Sequence, residues 1–125
     1  METKNLLSIS DLTSKEVGVI VENAQNIKQC RPRSTILQDK TIVLLFEKPS
    51  LRTRVSFEVG IRQLGGESIY LSQDDVGLGT REPVSDVAHV LDRWVDGIIA
   101  RVFSHDNLHI LAKHITVPLI NALSD

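Results

Sequence analysis

Short, continuous apolar runs alternate with segments of helical periodicity along this 125-residue chain, and this alternation restricts the possible folds more than any other feature. The runs are rich in β-branched residues and show no polar alternation, as is typical of strands buried on both faces of a sheet. They lie at 41–46, 68–71, 97–102 and 117–120. Strands separated by helices pair in parallel, because the chain must cross over the sheet before the next strand begins. We therefore expect an α/β domain with helices on both faces of a four-stranded parallel sheet.

Three segments have apolar residues at i, i+3, i+4 and i+7, which places those residues on one helix face. The faces consist of Val17, Ile20, Val21, Ala24 and Ile27; of Val84, Val87, Ala88, Leu91, Trp94 and Val95; and of Leu108, Leu111, Ala112 and Ile115. A capping box, Thr13-Ser14-Lys15-Glu16, predicts the start of the first helix. A fourth helix is expected to begin at Ser50 and to end at Gly65-Gly66, where glycine permits a left-handed cap. Pro118 is expected at the beginning of the last strand, because proline donates no ladder hydrogen bond.

The composition is that of one globular domain, with 42% hydrophobic and 24% charged residues. Fourteen Lys and Arg against 16 Asp and Glu give a net charge of −2, so no nucleic-acid or anionic membrane partner is expected. No apolar stretch approaches the roughly 20 residues needed to cross a bilayer. The single cysteine, Cys30, forms no internal disulfide, and the first residues lack a hydrophobic signal core. These features predict a cytoplasmic protein.

The loop after the first predicted strand gives the strongest indication of function, since ligands of open parallel sheets bind at the carboxyl ends of strands. It reads Glu47-Lys48-Pro49-Ser50-Leu51-Arg52-Thr53-Arg54. A helix that begins at Ser50 attracts an anion through its free backbone N–H groups and its dipole. Arg52 adds a guanidinium suited to paired phosphate oxygens, and the hydroxyls of Ser50 and Thr53 add neutral donors. The loop indicates a phosphate site without Walker glycines, with a solvated, capped helix start as the alternative.

Two further arginines have different expected roles. Arg54 points about 200° away from Arg52 around a helix and is spaced i, i+4 from Glu58, so we expect it to form an ion pair. Arg101 ends an apolar strand at the same edge of the sheet as the Ser50–Thr53 segment. An arginine in that place needs an anionic partner or an exit to water. We expect Arg101 and the Ser50–Thr53 segment to converge on one phosphate-bearing ligand.

The other polar features are weaker indications. Asp74-Asp75 raises the possibility of a metal site, but adjacent acidic residues in a loop are usually solvated. His105 and His109 are spaced to chelate zinc on a helix, but no third ligand follows them at a useful spacing. No metal or other cofactor is therefore predicted. The glycine-bearing segment Val76–Glu82 is typical of a mobile binding loop, or of an ordinary connector.

Residues Phe46–Glu58 resemble the carbamoyl-phosphate signature of the aspartate/ornithine carbamoyltransferase family. The family's core usually reads Ser-Thr-Arg-Thr-Arg, and Leu51 stands here at the first Thr, a replacement that ornithine enzymes accept. The sequence Glu47-Lys48-Pro49-Ser50 also resembles that of the ornithine enzymes. The resemblance covers nearly the whole chain, through Leu64-Gly65-Gly66, Val90-Leu91, Asp96-Gly97, Ala100-Arg101, Val117-Pro118 and Asn121-Ala122-Leu123-Ser124-Asp125.

The resemblance implies a three-layer α/β/α fold with strand order 2-1-3-4. It also implies transfer of the carbamoyl group of carbamoyl phosphate to the δ-amine of L-ornithine, which gives L-citrulline and phosphate, without a cofactor. Ser50, Leu51 (through its backbone), Arg52 and Thr53 would hold the phosphate. Arg101 would be the catalytic residue, because it would stabilise charge that develops on the phosphate and carbamoyl oxygens.

The resemblance further implies a homotrimer, or a multiple of trimers, in which the loop 72–82 reaches the active site of a neighbouring subunit. Gly77 and Arg81 are the candidate contacts there. Family members often carry Gln or His at the position of Gly77, so Arg81 would have to supply the missing side chain. The family's His-Pro-x-Gln motif and ornithine-binding domain would follow Asp125. We therefore expect residues 1–125 to be a carbamoyl-phosphate-binding domain that does not turn over ornithine by itself.

Two other functions stay open. The chain fits a carbamoyltransferase that acts on aspartate or on an acylated ornithine, because in the family the amine specificity resides in the second domain. It also fits a non-catalytic oligomerisation module that keeps only the trimer surface. A receiver domain of the response-regulator type has the same alternation of elements but needs an acidic cluster at the strand ends, where this chain has Arg52 and Arg101.

Overall fold

The computed structural model describes residues 4–30, 34–79 and 82–124. Four strands form one parallel sheet in the order β2-β1-β3-β4, which confirms the predicted order. The strands are β1 (Thr41–Phe46), β2 (Glu67–Ser72), β3 (Gly97–Arg101) and β4 (Leu119–Asn121). The helices are α1 (Ser14–Cys30), α2 (Leu51–Gln63), α3 (Gln73–Val76), α4 (Val84–Trp94) and α5 (His105–His114), and a 3-10 turn spans Ile9–Asp11. No helix in the described parts of the chain is long and apolar enough to span a bilayer.

Alternate residues of the central strands face opposite layers of helices, which confirms the three-layer α/β/α architecture. On one face of the sheet, apolar residues of β1 and β3 pack with α4 and α5; the cluster includes Val43, Leu45, Ile98, Ala100, Val87, Leu91, Leu108 and Leu111. On the other face, the cluster contains Leu44, Phe46 and Ile99 with Ile61 of α2. Burial on both faces explains why the strands read as continuous apolar runs.

The predicted helix starts and ends are largely confirmed. Glu16 N–H donates to Thr13 Oγ1 (3.2 Å), and Thr13 N–H donates to Glu16 Oε1 (3.1 Å), which is the predicted capping box. Gly65 follows α2 with a φ of +88°, the left-handed conformation expected at the helix end. Pro118 directly precedes β4, as expected.

The apolar faces do not all reach the core. Helix α1 forms as predicted but buries none of its residues, and Ile20, Val21 and Ile27 are exposed. Trp94, which its spacing places on the apolar face of α4, is also exposed. Periodicity identifies the apolar side of a helix but not the element that covers it.

Two features of the described chain have no counterpart in the predictions. Leu6 forms a parallel bridge with Ile120, so the N-terminal segment lies along the outer edge of β4. Part of the predicted loop at 76–82 is also ordered locally, since Val76 ends the four-residue helix α3 and Leu78 forms a bridge with Glu82. Neither a single bridge nor one helical turn contains enough residues to show a period.

Candidate functional site

The carboxyl ends of β1 and β3 lie side by side, with Phe46 opposite Arg101 in the parallel register. The pairing continues one residue further, because Glu47 N–H donates to the carbonyl of Arg101 (2.8 Å). Helix α2 begins at Leu51, four residues after Glu47. Arg101 and the first turn of α2 therefore lie at the same edge of the sheet, as the sequence predicted.

The N-terminus of α2 has the features of an anion site. Its cap residue Ser50 is extended (φ −158°, ψ 104°), and its carbonyl accepts the first helical hydrogen bond from Arg54 N–H (3.0 Å). The Ser50 hydroxyl makes no capping hydrogen bond. The first N–H groups of a helix have no carbonyl partner one turn earlier, so those of Leu51, Arg52 and Thr53 can donate to an oxyanion.

The two arginines of α2 are separated as predicted. Arg52 is exposed at the first turn. Arg54 Nε donates to Glu58 Oε1 (3.1 Å), and its guanidinium carbon lies 3.6 Å from the centre of the Tyr70 ring. The ion pair predicted for Arg54 is thus confirmed, and its charge is partly neutralised.

Arg101 is held by one hydrogen bond and retains donor capacity. Its Nη1 donates to the carbonyl of Ala122 (3.3 Å). Its Nε is buried, and no residue in the described part of the chain accepts a hydrogen bond from it. An unpaired, buried guanidinium N–H is costly, so an anion at this edge of the sheet would offset that cost.

Glu47 was not singled out from the sequence, although it lies within the loop that was. Only 8% of it is exposed, and it is the one buried charged residue in the described ranges. Its Oε1 accepts a hydrogen bond from Phe103 N–H (3.1 Å), so it joins the loop before α2 to the loop before α5. The available signal was an acidic residue directly after an apolar strand, where burial requires a partner.

Of the two candidate contacts in the loop after β2, the structure describes only Gly77. Gly77 is buried and caps α3 in the left-handed conformation (φ 57°, ψ 51°), while its N–H donates to the carbonyl of Gln73 (2.7 Å). Arg81, the other candidate contact, lies outside the described residues. Asp75 Oδ2 accepts hydrogen bonds from the N–H and hydroxyl of Ser72 (2.8 and 2.9 Å), which gives this acidic residue a capping role.

Two histidines of α5, His105 and His109, contact each other, and His105 also contacts Ser124. The rings of His105 and His109 meet edge to face, with centroids 4.6 Å apart. His105 Nδ1 lies 2.6 Å from Ser124 Oγ. No group of three or more potential metal ligands occurs among residues 4–30, 34–79 and 82–124.

Comparisons of the sequence with a family model and with known proteins identify the same family. Residues 4–125 match the family model described as aspartate/ornithine carbamoyltransferase, carbamoyl-P binding domain. An ornithine carbamoyltransferase of Thermus thermophilus is 50% identical over 122 residues, which cover 98% of this chain and 40% of that protein. The chain thus spans about 40% of the length of the curated relatives it matches.

Solved structures agree with the sequence comparison. A crystal structure of ornithine carbamoyltransferase from Thermus thermophilus superimposes with a TM-score of 0.92 at 49% identity, over 100% of this chain and 44% of that one. A variant of N-acetyl-L-ornithine transcarbamylase, complexed with carbamyl phosphate and N-succinyl-L-norvaline, gives a TM-score of 0.86 at 33% identity, over 98% and 43% of the two chains. The chain therefore belongs to the aspartate/ornithine carbamoyltransferase family.

Proposed function

We propose that the chain binds carbamoyl phosphate and forms the carbamoyl-phosphate half of an ornithine carbamoyltransferase. The observation that carries the proposal is the buried, unpaired Nε of Arg101 at the sheet edge where α2 begins. The names of the relatives support ornithine as the acceptor, since the relative named for ornithine is 50% identical and the one named for N-acetyl-L-ornithine is 33% identical.

The first turn of α2 holds the phosphate. The backbone N–H groups of Leu51, Arg52 and Thr53, together with the hydroxyls of Ser50 and Thr53, donate to its oxygens. The guanidinium of Arg52 binds two of these oxygens as a pair. The site thus offers several donors and a positive dipole end to one small dianion.

Arg101 acts on the reacting group. When the δ-amine of L-ornithine attacks the carbamoyl carbon, negative charge develops on the carbonyl oxygen. The bond from that carbon to the bridging oxygen then breaks, phosphate leaves with the electron pair, the nitrogen loses a proton, and L-citrulline results. A guanidinium beside both oxygens stabilises this charge, and no covalent enzyme intermediate is needed.

These 125 residues are proposed to be a carbamoyl-phosphate-binding domain that binds its ligand without forming citrulline. The relatives contain further chain beyond the 40% that matches, and we assign the ornithine contacts to that part. Purified chain supplied with carbamoyl phosphate and ornithine is expected to yield no citrulline above the uncatalysed background. Citrulline formation by residues 1–125 would contradict this assignment.

Binding is tested by titrating carbamoyl phosphate, and separately inorganic phosphate, into the isotopically labelled chain under NMR observation. We expect shifts of the Leu51–Thr53 amides and of the Arg101 Nε–H, and a loss of about tenfold or more in affinity for Arg52→Ala. Arg62→Ala, an exposed arginine in the last turn of α2, is the matched control. Equal, negligible binding by the folded wild type and Arg52→Ala would favour the non-catalytic oligomerisation module.

We further propose a homotrimer, or a multiple of trimers, that works in cytoplasmic arginine metabolism. An exposed apolar strip on α2, formed by Leu51, Val55 and Val59 at i, i+4 and i+8, supports a covering subunit beside the site. Sedimentation velocity over a range of concentrations tests the assembly. Val55→Glu is expected to weaken it, whereas a monomer at all concentrations for the wild type would contradict a trimer of these residues.

A further inference from the structure

The chain makes a strained turn immediately after β4. Leu123, a non-glycine residue, has a φ of +124°, outside the regions that L-residues ordinarily adopt. Its N–H donates to Asn121 Oδ1 (2.9 Å), which closes the turn locally. A conformation of this kind persists only where several surrounding contacts hold it.

Side chains at both ends of the Asn121–Ser124 turn supply those contacts. Asn121 Nδ2 donates to the carbonyl of Leu7 (2.9 Å) and to Ser124 Oγ (3.2 Å). Ser124 Oγ also lies 2.6 Å from Nδ1 of His105, the first residue of α5. The turn is therefore attached to the N-terminal segment through Asn121 and to α5 through His105.

The turn carries the carbonyl that orients Arg101. Ala122 N–H donates to the carbonyl of Ala100 (2.7 Å), and the Ala122 carbonyl accepts from Arg101 Nη1 (3.3 Å). With Nη1 occupied, the plane of the guanidinium is restricted, and the unpaired Nε is presented in a fixed direction. The direction of one backbone carbonyl thus determines how Arg101 meets an anion.

We propose that His105 is a positioning residue for Arg101. By holding Ser124, it maintains the Asn121–Ser124 turn, and the turn aims the Ala122 carbonyl at Nη1. The proposal rests on the proposed function, because Arg101 must bind the phosphate-bearing ligand for its orientation to matter. His105 itself does not touch that ligand.

The test compares three substitutions and one control variant in the same titration with inorganic phosphate. His105→Phe keeps a ring beside His109 but removes the hydrogen bond, and Ser124→Ala removes it from the other side. Each is expected to lower phosphate affinity by about fivefold, the effect of losing one oriented hydrogen bond. His105→Asn places a polar atom near the position of Nδ1 and is expected to restore most of the affinity. His89→Phe, on α4 and also in edge-to-face contact with a second histidine, should leave affinity unchanged.

A second measurement separates positioning from a general structural role. In an Arg101→Ala background, His105→Phe is expected to cause no further loss of phosphate affinity, because the residue through which it acts is gone. An equal loss in both backgrounds would overturn the proposal. The proposal would also be overturned if His105→Phe bound phosphate as tightly as the wild type while Arg101→Ala bound it weakly. In that case the proposed function would still hold. If Arg101→Ala itself binds phosphate as the wild type does, the positioning role of His105 fails together with the proposed contact between Arg101 and phosphate. Binding of phosphate at the first turn of α2 is decided separately by Arg52→Ala.

Discussion

The backbone N–H of Phe103 donates a hydrogen bond of 3.1 Å to Oε1 of the buried Glu47, across the two loops that flank the proposed phosphate site. The backbone of Glu47 makes a second link, because its N–H donates to the carbonyl of Arg101. One residue thus joins the loop that leads to α2 with the end of β3. The separation between the first turn of α2 and Arg101 therefore depends on Glu47.

Replacing Glu47 should destabilise the fold measurably. Glu47→Ala removes the charged acceptor of the part-buried Phe103 N–H, and we expect a loss of about 1–3 kcal/mol in the free energy of unfolding. Glu47→Gln keeps an acceptor oxygen and should lose less. Urea unfolding measures both, with Glu22→Ala, an exposed glutamate of α1, as the control. A Glu47→Ala variant as stable as the control would show that the link contributes nothing.

The neighbouring arginines of α2 should give opposite results in two assays. Arg54→Ala removes the ion pair with Glu58 and the stacking on Tyr70, so it should lower the free energy of unfolding by about 1 kcal/mol. Arg54→Ala should leave phosphate affinity nearly unchanged. Arg52→Ala should lower phosphate affinity and leave the free energy of unfolding nearly unchanged. Because phenylalanine keeps the ring face, Tyr70→Phe should retain the stability that Arg54→Ala loses. Equal losses of phosphate affinity for the two arginine variants would contradict this division.

The layered architecture was predictable because strands buried on both faces have continuous apolar sequences. Every described side chain from Val43 to Phe46 is at most 1% exposed, so no polar residue interrupts the run. The strand order came from the family resemblance, since periodicity contains no information on which strands are neighbours. The exposure of the apolar face of α1 was not predictable, because an amphipathic pattern shows only which side of a helix is apolar.

The candidate site was predictable to the level of residue types and sheet edges. Ser50 follows β1 and Arg101 ends β3, and the carboxyl ends of parallel strands lie at one edge of the sheet, so their common location followed from topology alone. The contact of Arg101 with the Ala122 carbonyl did not follow, because it depends on the strained turn at Leu123. Backbone carbonyls are present at every residue, and only the folded chain shows which of them is aimed at a guanidinium.

Acid should weaken the fold in part through Asp92, at the opposite edge of the sheet. Burial raises the pKa of Asp92, but the N–H groups of Val117 and Thr116 and the hydroxyl of Thr116 outweigh it, so the pKa lies below its ordinary value. A lowered pKa means that the folded state favours the carboxylate. The resulting stability is present at pH values above the unfolded-state pKa of about 4. It is lost as the pH falls through the folded-state pKa.

Asp92→Asn should therefore be less stable than the wild type by about 1 kcal/mol at pH 7, a figure reduced for solvent screening at this half-exposed position. The difference should shrink as pH is lowered from about 5 to 3, because the wild type then loses its charged acceptor. Urea unfolding across this range, with Asp86→Asn as the exposed control, measures it. A difference between wild type and Asp92→Asn that stays constant with pH would contradict the assignment.

Replacement by alanine should change the free energy of unfolding in opposite directions at two glycines. Gly77 ends α3 with a φ of +57°, so Gly77→Ala forces a side chain into the left-handed region and should cost about 1–2 kcal/mol. Gly18 lies in α1, where an added Cβ meets no atom within 4 Å, and Gly18→Ala should stabilise the fold by about 0.5–1 kcal/mol. Urea unfolding of both variants provides the comparison.

A further substitution connects this strain with the proposed intersubunit loop. Asparagine tolerates the left-handed region better than alanine, so Gly77→Asn should cost less than Gly77→Ala if backbone strain alone sets the penalty. A reversed order, with Asn more costly than Ala, would mean that side-chain volume in this buried position matters more than φ. The order of the two variants thus decides whether a side chain at position 77 requires a different path for the loop after β2.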